Sequence, residues 1–302
     1  DLVKEDAMAD QTAFATLDLP DGGLAGPLRR PVNESRGAVG SIHDDDTAQG
    51  LGFRGGTVAG NIHMEQFPPL YGARFGRPWT EPGGLSLYFL QPTTDGEPVQ
   101  ACLGPVVEQG DGVRRASAWM QTPEGQKVCE GEAWSGGDLA DTPLRHKAAQ
   151  IRPGADLRIL RGSKVGDTVS EVPAIIPSAT ALVRVRGITE PLAGYTTPDA
   201  EGRRVAAPAV VIDALRAVET PLFRSEGEFV GMFGAIELQH LAGPVYLDCD
   251  YVAEGEIVGL GESPKTEIAW YESRLRAATG GPVIARLLMM TRLLKGSSSL
   301  WA

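Results

Sequence analysis

The sequence predicts an α+β protein of two like halves, each a helix packed against a long antiparallel sheet. One order of signals, a Gly-rich turn, a helix and then a series of strands and turns, occurs twice along the 302 residues. Each strand series is divided by glycine turns at similar spacing, Gly96 to Gly125 and Gly255 to Gly280, as expected of long hairpins. Two such sheets can join edge to edge and so cover their open strands.

In the first half Gly52, Gly55 and Gly56 lead into a helical segment from Val58 to Leu70, closed by Pro68 and Pro69. Strands are expected at Leu85 to Leu90, around Val106, at Ala116 to Met120 and at Val128 to Trp134. In the second half Gly202, Ala206, Ala207 and Pro208 precede a helix from Val210 to Val218, where Val211, Leu215 and Val218 fall at i, i+4 and i+7. Its strands are expected at Val245 to Tyr251, Ile268 to Glu272, Leu275 to Ala278 and Val283 to Leu294, with turns at Gly255-Glu256 and Gly280-Gly281. Val183-Arg184-Val185-Arg186 alternates as a strand with a solvated arginine face. A polar linker from Ser135 to Gly154, carrying Pro143 and Pro153, places the boundary near residue 150, giving units 8–150 and 151–302. Residues 1–7 are expected to be extra to the fold, which would begin near Met8. The apolar Val283 to Leu294 run, interrupted by Arg286 and Arg292, reads as a core or dimer-edge strand. A homodimer is the expected assembly, and Lys295 to Ser299 reads as a frayed tail.

Composition narrows the classes of function. Apolar residues make up 42% and charged residues 22%, with 38 Gly and 22 Pro, a turn-rich globular mixture that excludes global disorder. With 28 Lys and Arg against 39 Asp and Glu, the net charge of −11 repels polyphosphates, so nucleic acid is not an expected partner. Any anionic ligand must be held by a local patch. Cys102, Cys129 and Cys249 are odd in number and form no CxxC pair, so they are expected to be reduced, not a disulfide framework or a zinc site. No apolar run of about 18 residues and no leader-like N-terminus occur, so no membrane contact and a cytoplasmic location are expected. His146 and His240 have no second ligand at metal spacing, and the Gly52 to Gly56 stretch lacks the features of phosphate or dinucleotide loops. Neither a metal nor a cofactor is expected.

The run Ile42-His43-Asp44-Asp45-Asp46-Thr47-Ala48, then Leu51-Gly52-Phe53-Arg54-Gly55-Gly56-Thr57-Val58-Ala59-Gly60, resembles the MaoC-like, hydratase 2 family. Leu87-Tyr88-Phe89-Leu90-Gln91-Pro92 with the Gly96-Glu97 turn extends the likeness. The second half looks like a diverged copy, with Ala206-Ala207-Pro208-Ala209 entering its helix. The resemblance implies a double hot-dog fold, two repeats each with a central helix wrapped by an antiparallel sheet. In the family an Asp-x-Asn-Pro-x-His run holds a water against a 2-enoyl thioester, while a backbone N–H at the helix start polarises the carbonyl. It also implies a substrate borne on coenzyme A. Hydration of a conjugated double bond does need a base for the water, an acid for the α-carbon and donors for the thioester oxygen.

With His43 set on the family histidine, the Asp and Asn positions fall on Ala38 and Gly40, and the usual dyad is broken. The resemblance makes His43 the acid/base, since imidazole titrates nearest neutrality. A partner would come from Asp44, Asp45 or Asp46, with Asp44 and Asp46 put forward, or from Glu34 upstream. These acids are equally explained as caps complementing a helix dipole. Gly60 is the candidate oxyanion donor, or a residue that allows close helix packing. Phe53, Thr57 and Val58 would line the acyl pocket, or simply the core. Glu65, with His63 in the same helix, offers a thioesterase carboxylate as an alternative, or an interface residue. Asp213 and Arg216 read as a helix ion pair without chemistry. Coenzyme A phosphates would call on Arg114-Arg115, Arg184, Arg186 or Arg203-Arg204.

Three functions follow: a hydro-lyase on a 2-enoyl or 3-hydroxyacyl thioester or related carbonyl compound, a hot-dog thioesterase using Glu65, or a non-catalytic binding or partner subunit. In two-repeat hydratases of the family the catalytic motif lies in the second repeat, whereas here the first carries the histidine. The region from Tyr195 to Pro208 has none. The second half is expected to shape the pocket.

Overall fold

The computed structural model describes residues 14–277 and 280–302. The expected N-terminal extra segment 1–7 and the start at Met8 lie outside the described residues.

The first repeat contains β1 (Leu17–Asp18), β2 (Leu24–Ala25), α1 (Asp45–Gly50), α2 (Gly60–Met64), α3 (Phe67–Phe75), β3 (Gly83–Phe89), β4 (Gln100–Leu103), β5 (Val107–Gly110), β6 (Val113–Gln121) and β7 (Lys127–Ser135). After α4 (Pro143–Ala149) in the linker come β8 (Thr168–Pro173), α5 (Ser178–Val185), α6 (Ala193–Thr196), α7 (Pro208–Leu215), α8 (Glu219–Leu222), β9 (Gly231–His240), β10 (Tyr251–Glu262), β11 (Thr266–Ala277) and β12 (Val283–Leu294). Among the described residues twelve strands form one antiparallel sheet in the order β1-β2-β4-β6-β7-β3-β9-β12-β11-β10-β8, with β5 beside β6. The repeats meet where β3 pairs with β9, Gly83 opposite His240 and Tyr88 opposite Ala235. Each repeat's inner strand is thereby covered by the other's, which removes an open edge that would otherwise template aggregation.

The central helices lie inside this sheet. Nearly every residue of α7 is buried, Val211, Ile212 and Leu215 completely, so it is a core helix rather than an amphipathic surface one. In the first repeat the expected single helix is two. It starts at Gly60, pauses at Glu65-Gln66, and restarts with Pro68 and Pro69 in the first turn of α3. These prolines begin a helix rather than end one, because the first turn needs no amide hydrogen from them.

The second repeat departs most from expectation. Val245 to Asp250 is loop, and the strand beside the first repeat is β9 upstream of it. Gly255-Glu256 is no turn but lies inside β10. A Cβ at Gly255 would stand 2.9 Å from Val218, so the glycine lets the strand pass under the helical segment. The turn that matches Asp95-Gly96 is Leu247-Asp248: Thr57 bridges to Thr94 in one repeat and Val205 to Tyr246 in the other. Gly96 has φ +69° and Asp248 φ +56° at this turn. The Ile268 and Leu275 runs are one continuous strand, β11, and Ala278 lies outside the described residues. The Val-Arg alternation at 183–186 belongs to α5 and its C-cap, because Ala181 and Val185 at i and i+4 are the buried pair while Val183 faces solvent. β12 is an interior strand between β9 and β11, not a dimer edge.

Candidate active site

The loop bearing His43 is held from three directions. Asn33 Nδ2 donates to the His43 carbonyl at 2.7 Å, Thr57 N donates to the Ile42 carbonyl at 3.0 Å, and Gly56 N donates to Asp45 Oδ1 at 2.8 Å. A Cβ on Gly56 would overlap the His43 carbonyl oxygen, so this loop needs glycine for closeness rather than for unusual dihedrals. The imidazole itself is oriented: its Nδ1 lies 2.7 Å from the Thr57 carbonyl. A carbonyl only accepts, so Nδ1 carries the hydrogen in the neutral ring and Nε2 presents its lone pair.

His43 stands where two cavities meet. The larger, about 940 Å³, is walled by Ile42, Phe53, Thr57, Val58 and Gly60 from the first repeat and by Met232, Phe233, Met290 and Arg292 from the second. The smaller, about 80 Å³, is polar and contains Asn33, Glu34, Asn61, Arg184, Asp213 and Arg216. His43, Ala59 and Phe233 border both. Phe53, Thr57, Val58 and Gly60 thus share the large cavity with the histidine.

The acids following His43 are placed otherwise. Asp44 is the N-cap of α1, its carboxylate accepting from Thr47 N at 2.9 Å and Thr47 Oγ1 at 2.7 Å, which hold its pKa below the ordinary value. Asp45 is taken up by Gly56 and Arg36. Asp46 faces solvent on α1. None lines either cavity. Two other carboxylates do, in the small one. Asp213 is ion-paired with Arg184 and, at 3.6 Å, with Arg216. Glu34 is exposed as a residue and has no hydrogen bond or ion pair among the described residues; partial desolvation of its carboxyl end beside Gly187 pushes its pKa up, while the Arg184 charge pulls the other way.

Gly60 is required by packing. A Cβ there would come within 2.5 Å of the Phe89 ring, which lies across the start of α2. Its backbone still faces the large cavity. His63 also borders that cavity; its Nε2 is 2.8 Å from Thr93 Oγ1, and desolvation lowers its pKa to about 4, so it is a neutral polar wall group.

Glu65 borders neither cavity, which corrects the expectation of a thioesterase carboxylate in contact with substrate. It is completely buried between the central helices, where Oε1 accepts from Ala209 N at 2.6 Å near the start of α7. Desolvation raises its pKa to about 8. Of the arginines expected to meet phosphates none lines the large cavity, and three are ion-paired: Arg115 with Glu132, Arg203 with Asp199 and Glu201, and Arg184 with Asp213. The cations on the large cavity are Lys265, Arg292 and Lys295, all from the second repeat. Sequence reasoning passed over Arg292 because its place in an apolar strand resembled an ordinary interruption. Cys102 and Cys129 are buried free thiols, pushed up to about 12 by desolvation. No helix among the described residues is long and apolar enough to cross a membrane.

No family model matches the chain, and no curated protein matches its sequence. Solved structures do match. A protein of Chloroflexus aurantiacus described as a MaoC domain protein dehydratase is 12% identical with a TM-score of 0.59, covering 89% of this chain and 93% of its own. A Mycobacterium tuberculosis protein described as having a double hot-dog fold is 14% identical with a TM-score of 0.59, covering 94% and 97%. A MaoC-like dehydratase is 13% identical with a TM-score of 0.55, covering 95% and 99%. Likeness at this level of identity is likeness of fold, and with the paired central helices and the single shared sheet it establishes that this chain has the double hot-dog fold of the MaoC-like dehydratases.

Proposed function

We propose that the chain is a hydro-lyase that adds water to, or removes it from, a 2-enoyl or 3-hydroxyacyl thioester or a related carbonyl compound. The observation that carries this reading is the orientation of His43, whose Nδ1–H is committed to the Thr57 carbonyl while Nε2 is left as a base beside a large, mostly apolar cavity. In the hydration direction Nε2 takes a proton from water as the oxygen bonds to the β-carbon. The electron pair of the double bond moves toward the α-carbon and the carbonyl oxygen. The imidazolium then returns the proton to the α-carbon, so one proton leaves the water and one arrives on carbon. Gly60 N–H, on the same cavity wall, is the assigned donor for the carbonyl oxygen. Among the acids named from the sequence, Glu34 is the one that lines the small cavity with His43 and is unpaired, so it is the proposed carboxylate for holding the water. Asp44 is committed to its cap and Asp46 to solvent, so neither takes that role.

The test is His43→Ala with a 2-enoyl-CoA, following loss of the enoyl absorbance and release of free thiol in parallel. Removal of a general base should lower enoyl hydration about 10²- to 10⁴-fold with an unchanged unfolding midpoint. Undiminished hydration in the variant refutes the role of His43. Thiol release by the wild-type chain without loss of the double bond would show thioester hydrolysis instead.

A further inference from the structure

The chain has 39 acidic residues and a net charge of −11, yet no Asp or Glu lines the large cavity, while Lys265, Arg292 and Lys295 do. Lys295 is neutralised by Glu262 at 2.6 Å and lies over the Trp301 ring. Lys265 is exposed, in the β10–β11 turn. Arg292 differs from both. It is half-buried in the sheet, donates to the Tyr88 hydroxyl at 2.8 Å and stacks near that ring, and has no carboxylate partner among the described residues. Gly234 on the neighbouring strand leaves room for both Met290 and Arg292: a Cβ there would overlap Met290 Cε and stand 2.8 Å from Arg292 Nε. A cavity-lining guanidinium with no carboxylate partner is open to one from a ligand, and it offers a planar fork of donors suited to a carboxylate.

We propose that Arg292 is a specificity residue that anchors a carboxylate on the acyl part of the ligand, so that the ligand class is a thioester or carbonyl compound with a second, anionic end. The thioester end of this assignment rests on the hydro-lyase reading; the anionic end rests on the cavity alone. The division of labour also explains a second repeat without a histidine: the first repeat supplies the base and the second supplies the anchor. Carboxylate and phosphate share the oxyanion chemistry an arginine recognises, so the source of the anion is what the experiment must separate.

The probes are inert amide analogues of N-acetylcysteamine thioesters, the hexanoyl amide and the adipoyl half-amide, which differ in a methyl or a carboxylate end and carry no phosphate. Binding to the full chain is measured by calorimetry, with phosphopantetheine as a third probe. The wild type is expected to bind the carboxylate-ended probe about 10- to 100-fold more tightly than the methyl-ended one, the range of a charge-assisted hydrogen-bonded pair. Arg292→Met should bring the two within about threefold. Arg292→Lys, which keeps the charge and loses the fork, should fall between, and guards against misfolding of the methionine variant. His43→Ala should keep the wild-type preference, so failure of the hydration chemistry and failure of the anchor are read separately. Equal binding of the two amides by the wild type, or a preference unchanged in Arg292→Met, overturns the proposal. So does Arg292-dependent binding of phosphopantetheine with no preference between the amides, since the anion would then belong to the carrier.

Discussion

Replacing Glu65 by glutamine tests whether a buried carboxyl between the two central helices is held neutral. Glu65 has no solvent exposure, and only one of its oxygens has a partner, the Ala209 amide at 2.6 Å. Desolvation is the larger influence and pushes the pKa from 4.5 to about 8. An acid whose pKa is raised on folding binds more protons in the native state than in the unfolded state. The contribution of Glu65 to stability is therefore fully present below pH 4.5 and falls as pH rises toward 8, by about 1.4 kcal/mol per pH unit. Across that window the loss approaches roughly 5 kcal/mol as a ceiling. Glutamine keeps the shape and the acceptor for Ala209 but cannot ionise. Urea unfolding of wild type and Glu65→Gln at several pH values between 5 and 8 should show the variant gaining on the wild type as pH rises, with the difference levelling above pH 8. A difference independent of pH would mean that Glu65 titrates as in the unfolded chain, and the account of its burial would be wrong.

Gly56→Ala should push the His43 carbonyl away and move the imidazole off the Thr57 carbonyl, destabilising by about 1–3 kcal/mol and lowering enoyl hydration more than its effect on folding explains; chemical denaturation and turnover measured together check this, and full activity would show that the loop yields without moving His43. His240, buried against Trp79 with neither ring nitrogen hydrogen-bonded among the described residues, has its pKa lowered to about 4 by desolvation. Its contribution is intact above pH 6.5 and lost as pH falls toward 4, up to about 3 kcal/mol in all. His240→Leu should then be less acid-sensitive than wild type in unfolding followed from pH 7 to 4, and parallel curves would refute the shift.

Several site residues were legible because their neighbours in sequence are also their neighbours in space. His43, Gly56, Thr57 and Gly60 lie on one short stretch, and the loop between them folds back through local backbone contacts. Asp44 illustrates the opposite: adjacency to His43 suggested a catalytic partner, but a carboxylate immediately before a helix is drawn to the free amides of its first turn, here Thr47 N. Glu65 misled for a different reason. A polar residue in a buried helix has to find a donor, and which donor depends on the neighbouring helix, here the start of α7. Gly255 read as a turn because glycine serves turns and close approaches alike, and only the segment packed above it distinguishes them.

Duplication, the α+β class, a buried helical segment in each half and the histidine-bearing loop were legible because periodicity and glycine placement are local signals, while the break of the first helix at Glu65-Gln66 was not. How the repeats join, through β3 and β9, and with that what the second repeat contributes to the first repeat's site, follows only from long-range packing. Glu34 shares a cavity with Arg184 and Asp213, and His43 shares another with Arg292, across sequence distances no local pattern spans. Strand register and helix packing bring such residues together, and both are set by how the two halves bury one another's apolar faces.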